Sequence, residues 1–353
     1  MVKHSEAHYW QWFYQVNIKR FIFPIKRWVK SCPTCDSFFI IRWGFQNEKQ
    51  RYKCNSCSQL FIWRNDGKRY AQLFVWFNEW VIGKQTLDQV SKRSGYSKSK
   101  IQRLFRHYLS KPPLFSIPQK ESVHIIIDGT YFSSDICLVV YRNSEIKCTQ
   151  LYRLSDNERY EEIKEDLENL IALNIHVQSI TCDGHRAILK AVRKVFKRNI
   201  FLQRCLVHIQ RMSRIWLTKA PKSICAQELL KITQVIHRIT TQEQKLYWLR
   251  SLYDWDVAFQ SFINERSFNP VTSKSWYTHK MIRRVRHLLI RAFPDMFHYL
   301  EDDKIHKSTN ALESFFGHLK DNLSIHRGLT VVHRKNFIKW YLHLRNQQVS
   351  KKP

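Results

Sequence analysis

Two short apolar runs, each ending in Asp-Gly, constrain this chain more than any other feature. His124-Ile125-Ile126-Ile127-Asp128-Gly129-Thr130-Tyr131 is a β-branched run that delivers a carboxylate and then a glycine, and Ser179-Ile180-Thr181-Cys182-Asp183-Gly184-His185 repeats the pattern. Three consecutive isoleucines cannot alternate with solvent, so the first run reads as a central strand covered on both faces, as in α/β sheets. Asp128 is then expected at the strand's C-terminal end, with a task outside the core. Gly129 would let the backbone turn and leave room for a ligand or a second strand. Glycine occurs only 8 times in 353 residues, so two that directly follow a strand-terminal Asp are unlikely decoration.

The partner class follows from charge. Lys and Arg number 59 against 29 Asp and Glu, a formal charge of +30, and the most economical partner for such a chain is a polyanion, nucleic acid first. An acidic membrane surface is the rival, but no apolar stretch approaches spanning length, and Lys19, Arg20, Lys26 and Arg27 interrupt the aromatic N-terminal segment. No signal peptide is legible there. Nine cysteines, four of them in two C-x2-C pairs, suit a reducing compartment and a metal site better than a disulfide framework. The expected location is the cytoplasm, on the nucleoid when the protein is bound to DNA.

Residues 1–30 read as an aromatic and basic arm. Residues 31–65 hold Cys32-x2-Cys35-x18-Cys54-x2-Cys57, the spacing of a four-thiolate zinc ribbon; four protein ligands leave no open position, so this zinc would be structural. Phe38, Ile40 and Trp43 give the intervening segment enough β character for a hairpin. Over 66–110 a helix from Arg69 to Gly83 precedes a helix-turn-helix: Thr86 to Arg93, a turn at Ser94-Gly95-Tyr96, then Ser97 to Leu109 with Ser97 as N-cap and Ile101, Leu104, Phe105 and Tyr108 inward. Its outer face carries Lys98, Lys100, Arg103 and Arg106. A solvated face would explain these charges, but behind a zinc ribbon in so basic a chain we read DNA contact. Pro112, Pro113 and Pro118 mark a linker over 111–122.

From residue 123 to 209 the periodicity gives strands at 124–127, 136–141 and 146–154 with a turn at 142–144. A helix over 158–173 follows, with Ile163, Leu167, Leu170 and Ile171 inward and six acids mostly outward. Then come the Asp183 strand, a helix bearing Ile188, Leu189, Val192, Val195 and Phe196, and a short strand at 200–202. The order β-β-β-α-β-α-β is that of a ribonuclease H-like core. Residues 210–305 read as a helical insertion without strands. Within it Lys280, Arg283, Arg284, Arg286 and Arg291 make a basic helix face, and we read phosphate contact at Arg283 and Arg284. Residues 306–345 close the core with a helix opening at Ser308-Thr309-Asn310-Ala311-Leu312-Glu313 and another over 329–343, and 346–353 would be a loose tail.

Asp128, Asp183 and Glu313 would thus meet on one edge of the sheet. With Asp-Gly-Thr after the first strand, Cys-Asp-Gly after the fourth, Cys205-x2-His208 after the fifth, a helical insertion and Thr309-Asn310-Ala311-Leu312-Glu313, the chain resembles bacterial insertion-sequence DDE transposases of the Mutator-like superfamily over roughly 123–327. The resemblance implies a DNA transposase acting on double-stranded DNA, namely the element's terminal inverted repeats and a target. It implies two Mg²⁺ or Mn²⁺ ions about 3.5–4 Å apart, bridged by Asp128 and each held by Asp183 or Glu313, and a homodimer or larger assembly on DNA. It also places Cys205, His208 and Asn310 near the site in support. Two other readings stay open: a catalytically silent DNA-binding regulator derived from a transposase, and a ribonuclease H-like nuclease or resolvase.

Overall fold

A computed structural model describes residues 31–35, 37–62, 66–114, 122–133, 136–197 and 199–350. The arm over 1–30, Pro118 and residues 351–353 lie outside the described residues. The chain divides into two compact units, 1–77 and 78–353.

In the first unit β1 (Ile40–Gln46), β2 (Lys49–Cys54) and β3 (Leu60–Ile62) form an antiparallel sheet in that order. Asn47 and Glu48 both have positive φ in the two-residue turn between β1 and β2, the twist that suits a tight hairpin. Between residues 31 and 62 the buried described residues are Cys32, Tyr52 and Cys54, so apolar burial alone gives this sheet little stability. The helix α1 (Asp66–Ile82) follows.

In the second unit α2 (Leu87–Ser94) begins with a capping box between Thr86 and Gln89 and ends at Gly95, whose φ of 69° is the left-handed conformation glycine tolerates. The next helix, α3 (Lys98–Leu109), buries Ile101, Leu104, Phe105 and Leu109. Ser97 occupies its N-cap position but its hydroxyl makes no cap hydrogen bond, and Tyr108 is only half-buried. The expected boundary after residue 110 is not where the units divide, because α3 is tied to the closing helix α12 (Val331–Ser350). Asn336 donates to the Leu109 carbonyl at 2.7 Å, and the Trp340 indole donates to the Tyr108 carbonyl at 3.0 Å. That helix runs on through the expected loose tail to Ser350, since Asn346 is buried and clamps both backbone groups of Thr149 at 2.9 and 2.8 Å.

The second unit is built on a mixed five-stranded sheet, ordered β6 (Thr149–Ser155), β5 (Ile136–Asn143), β4 (Ser122–Phe132), β7 (His176–Cys182), β8 (Phe201–Arg204). The first three pair antiparallel; β4 with β7 and β7 with β8 pair parallel. One face packs on α4 (Tyr160–Ala172) and α5 (Arg186–Phe196) through Val123, Ile125, Ile127, Leu167 and Val192. The other is met by α12 and by α11 (Asn310–Ser324), with Arg142 lying 4.6 Å from the Phe315 ring. One expectation for α4 fails, because Ile171 is half exposed; among its acids Asp166 is the exception that points inward, where its carboxylate accepts from the buried Arg153 guanidinium and Tyr141 hydroxyl.

The inserted segment has its own apolar core from α6 (Leu206–Leu217), α7 (Ile224–Gln234), α8 (Gln242–Ala258), α9 (Gln260–Asn264) and α10 (Lys280–Ala292). It is not strand-free as expected. An antiparallel hairpin, β9 (Arg266–Asn269) and β10 (Lys274–Tyr277), precedes α10; four largely exposed residues per strand leave no apolar alternation to read. No helix among the described residues is long and apolar enough to cross a membrane.

Candidate metal and active site

Asp128 is not at the end of its strand. β4 continues four residues beyond it in antiparallel pairing with β5, but the parallel pairing with β7 stops at Ile127 opposite Cys182. Asp128 therefore sits where the parallel part of the sheet opens, and alternation along β4 puts its side chain on the face of Ile126, the side that α11 covers. It is 7% exposed and accepts a hydrogen bond from the Gly129 N–H at 2.9 Å. Burial and then the charge of Asp183 push Asp128 up to about 7; Glu313 adds to this, while His208 and the Gly129 N–H oppose it. Three acids thus share one electrostatic neighbourhood, drawn from a strand interior, a strand end and a helix.

Asp183 follows β7 directly and accepts from the His185 N–H at 2.8 Å, which turns the chain into α5. Gly184 has φ of 95°, and a Cβ there would strike the Arg204 guanidinium, so this position requires glycine twice over. Gly129 is in extended conformation. Its role is space, because a Cβ would collide with the carboxylate of Glu158. Sequence reasoning missed Glu158, a fourth acid beside Asp183. Burial pushes its carboxyl up, with His185 opposing and Asp183 reinforcing, and its carboxylate lies 3.3 Å from the His185 ring. The one signal that pointed to it was the glycine inside a β-branched run, which reserved room for an unknown neighbour.

Glu313, in the first turn of α11, is held by Arg211 at 3.0 and 3.2 Å and lies 3.5 Å from His208 Nε2. Cys205, His208 and Thr309 form the support beneath it. His208 Nδ1 is 3.3 Å from Cys205 Sγ, and the Thr309 N–H donates to the same sulfur at 3.3 Å, tying the start of α6 to the start of α11. Burial would push the Cys205 thiol up, but the bonds from His208 and Thr309 outweigh it and hold it below its ordinary range. Asn310 is exposed at the start of α11, and no hydrogen bond joins it to the acids among the described residues. The three acids do not close into a ready cage: among the described residues only the cysteines bring three or more ligand atoms all within 4.8 Å.

Those cysteines are Cys32, Cys35, Cys54 and Cys57, with Cys32 to Cys57 and Cys35 to Cys54 both 3.6 Å between sulfurs. Four thiolates at about 2.3 Å from a tetrahedral zinc would be about 3.8 Å apart, so the cluster is compatible with a structural zinc site. The thiols shift as one set: against the upward push of burial, the N–H groups of Cys57 and Ser56 hold Cys54 down to about 6, while against the Ser37 N–H the Cys57 thiol and burial push Cys35 up to about 12.

The basic residues are unequally free. Lys98 pairs with Asp88 at 2.8 Å and Lys100 lies over the Tyr96 ring at 3.7 Å, whereas Arg103 and Arg106 are exposed on the same helix. On α10, Arg283 bonds Asn264 and the Ile263 carbonyl and stacks on Tyr277, Arg284 lies 4.1 Å from the Trp216 ring, and Arg286 grips Asp256. Much of that face is therefore engaged within the protein. Neither a protein-family model nor a curated protein sequence matches the chain.

Proposed function

We propose that the chain is a DNA transposase of the DDE type, with Asp128, Asp183 and Glu313 as its acids on a ribonuclease H-like core. The observation that carries this reading is Asp128 itself. Where the parallel pairing opens, burial and then the charges of Asp183 and Glu313 push this carboxyl up to about 7, so its charged form is favoured only beside a cation, and hard oxygen donors of this kind suit Mg²⁺ or Mn²⁺. The donor set therefore fits the two ions that phosphodiester chemistry uses. Bound there, they would activate the attacking oxygen and stabilise the leaving one. The antiparallel-then-parallel sheet, with acids at the opening of β4, after β7 and on a late helix facing β4, supports the core assignment.

The chain's own residues would then divide the work. Asp128, Asp183 and Glu313 would hold the ions. Arg211 and His208 neutralise Glu313 when it holds none, and Arg211 is free to turn to a DNA phosphate once Glu313 is taken. Cys205 and Thr309 fix His208 in place. The zinc cluster and the α2–α3 pair would read the terminal inverted repeats, and joining two ends calls for a homodimer or larger assembly on DNA. Incubating the full chain with terminal duplexes and Mg²⁺ or Mn²⁺ tests the reading: cleavage with strand joining supports a transposase, cleavage alone a nuclease, and binding alone a regulator.

A further inference from the structure

Past the far end of β4 an open pocket of about 360 Å³ is lined by Tyr131, Phe132, Lys320, Leu323, Arg327 and Arg334. Its volume falls in the range of small-molecule sites, and its lining pairs cations with the Phe132 ring while including no carboxylate; Tyr131, one position earlier on β4, turns its ring to the opposite face, where its hydroxyl donates to Asn157 at 2.8 Å. Lys320 Nζ stands 5.7 Å from the Phe132 ring, and Arg334 is braced on Ser133 at 2.6 Å. Arg327 is exposed and has no partner among the described residues. The acid next to this cluster in sequence, Asp321, is occupied by Lys84 at 2.7 Å.

The pocket lies on the same track as the acids. Along α11, Lys320 is seven residues beyond Glu313, about 10 Å at 1.5 Å per residue. Along β4, Phe132 is four residues beyond Asp128, about 13 Å. Glu313 acts on Asp128 at one end and Lys320 reaches Phe132 at the other, so strand and helix run in the same direction and frame one groove. A length of 10–13 Å is about three or four nucleotides at roughly 3.4 Å each, fewer if the strand is stretched.

We infer that this pocket holds one unpaired nucleotide of the DNA strand that crosses the acids, with its base against Phe132 and its phosphate on Lys320 and Arg327. A ring beside cations fits a nucleotide better than a bare phosphate, and a base inside a duplex has no free face to offer it. The inference rests on the reading of the acids as a DNA site, since that reading supplies the strand.

The test is equilibrium binding of the full chain, without added divalent ion, to a blunt duplex and to the same duplex carrying a four-nucleotide thymidine overhang. Phe132 is half-buried outside both apolar cores and Lys320 and Arg327 are on the surface, so substitutions there leave the cores intact, and thermal unfolding of each variant checks this. The parent should prefer the overhang. Phe132→Ala, and Lys320→Ala combined with Arg327→Ala, should each lower that preference on the order of tenfold. An abasic residue at one overhang position should weaken the parent and leave Phe132→Ala unaffected. Equal preference in parent and variants would overturn the inference, as would competition by inorganic pyrophosphate as effective as by a thymidine dinucleotide. Because binding needs no chemistry, the two readings fail separately. Normal strand joining by Asp128→Asn, Asp183→Asn and Glu313→Gln alike would sink the acids alone, and unchanged overhang binding by the pocket variants would sink the pocket alone.

Discussion

Arg211 on α6 holds Glu313 on α11 by both carboxylate oxygens, at 3.0 and 3.2 Å, across 102 positions of sequence. The pair is partly exposed, so it adds little to stability. Its consequence is competition, because the guanidinium occupies oxygens that an ion needs. Arg211→Ala should tighten Mn²⁺ binding by the free protein about two- to fivefold and move the unfolding midpoint little. Calorimetric titration with Mn²⁺ decides it; unchanged or weaker affinity would show that Arg211 does not compete.

The cysteine cluster should hold one zinc per chain. With little apolar burial in β1–β3 to replace it, Cys54→Ser combined with Cys57→Ser should release the metal, unfold the hairpin and abolish preference for terminal over scrambled duplex. Non-specific binding should survive on the basic surface of the second unit. Metal analysis alongside competition binding at one salt concentration provides the check, and full retention of sequence preference would move the reading elsewhere.

Among the described residues Arg103 and Arg106 are the cations of α3 without a side-chain partner, unlike Lys98 and Lys100. Alanine at each should weaken duplex binding and lower the salt slope by about one. A slope equal to the parent's in the double variant would make that face merely solvated.

His326 gives a pH signature. Burial against Trp80 depresses its pKa to about 4, despite a 3.4 Å contact with the Trp80 carbonyl. The unfolded chain takes up this proton first as pH falls, so the contribution is whole above about 6.5 and is lost progressively down to 4, on the order of 3 kcal/mol in all. Asp128 runs the other way over part of this window, since a raised carboxyl pKa favours the folded state as pH falls. The difference between parent and His326→Gln isolates the histidine: denaturant unfolding should lose stability less steeply in the variant between pH 6.5 and 4, and parallel curves would refute the assignment.

Much of the second unit was legible because its signals are local. Ile125 to Ile127 announced a covered strand, and Thr86 with Gln89 wrote a capping box. The β9–β10 hairpin was not legible, because eight mostly exposed residues carry no period. The inward turn of Asp166 was not legible because the cation that draws it in, Arg153, sits on another element. Glu158 and Arg211 escaped for the same reason: one lies before a helix and the other within one, and only the fold brings them to Asp183 and Glu313. The end of β4 was misplaced because Asp-Gly reads as a stop, whereas here glycine stays extended and clears space.

The most direct measurement is strand joining. A terminal duplex with a free 3′-hydroxyl, mixed with target DNA and Mn²⁺, should give joined product with the parent and none with Asp128→Asn, Asp183→Asn or Glu313→Gln, while all three variants bind the terminal duplex as well as the parent does. Joined product at the parent's rate from any one of these variants would remove that acid from the site, and from all three would contradict the account.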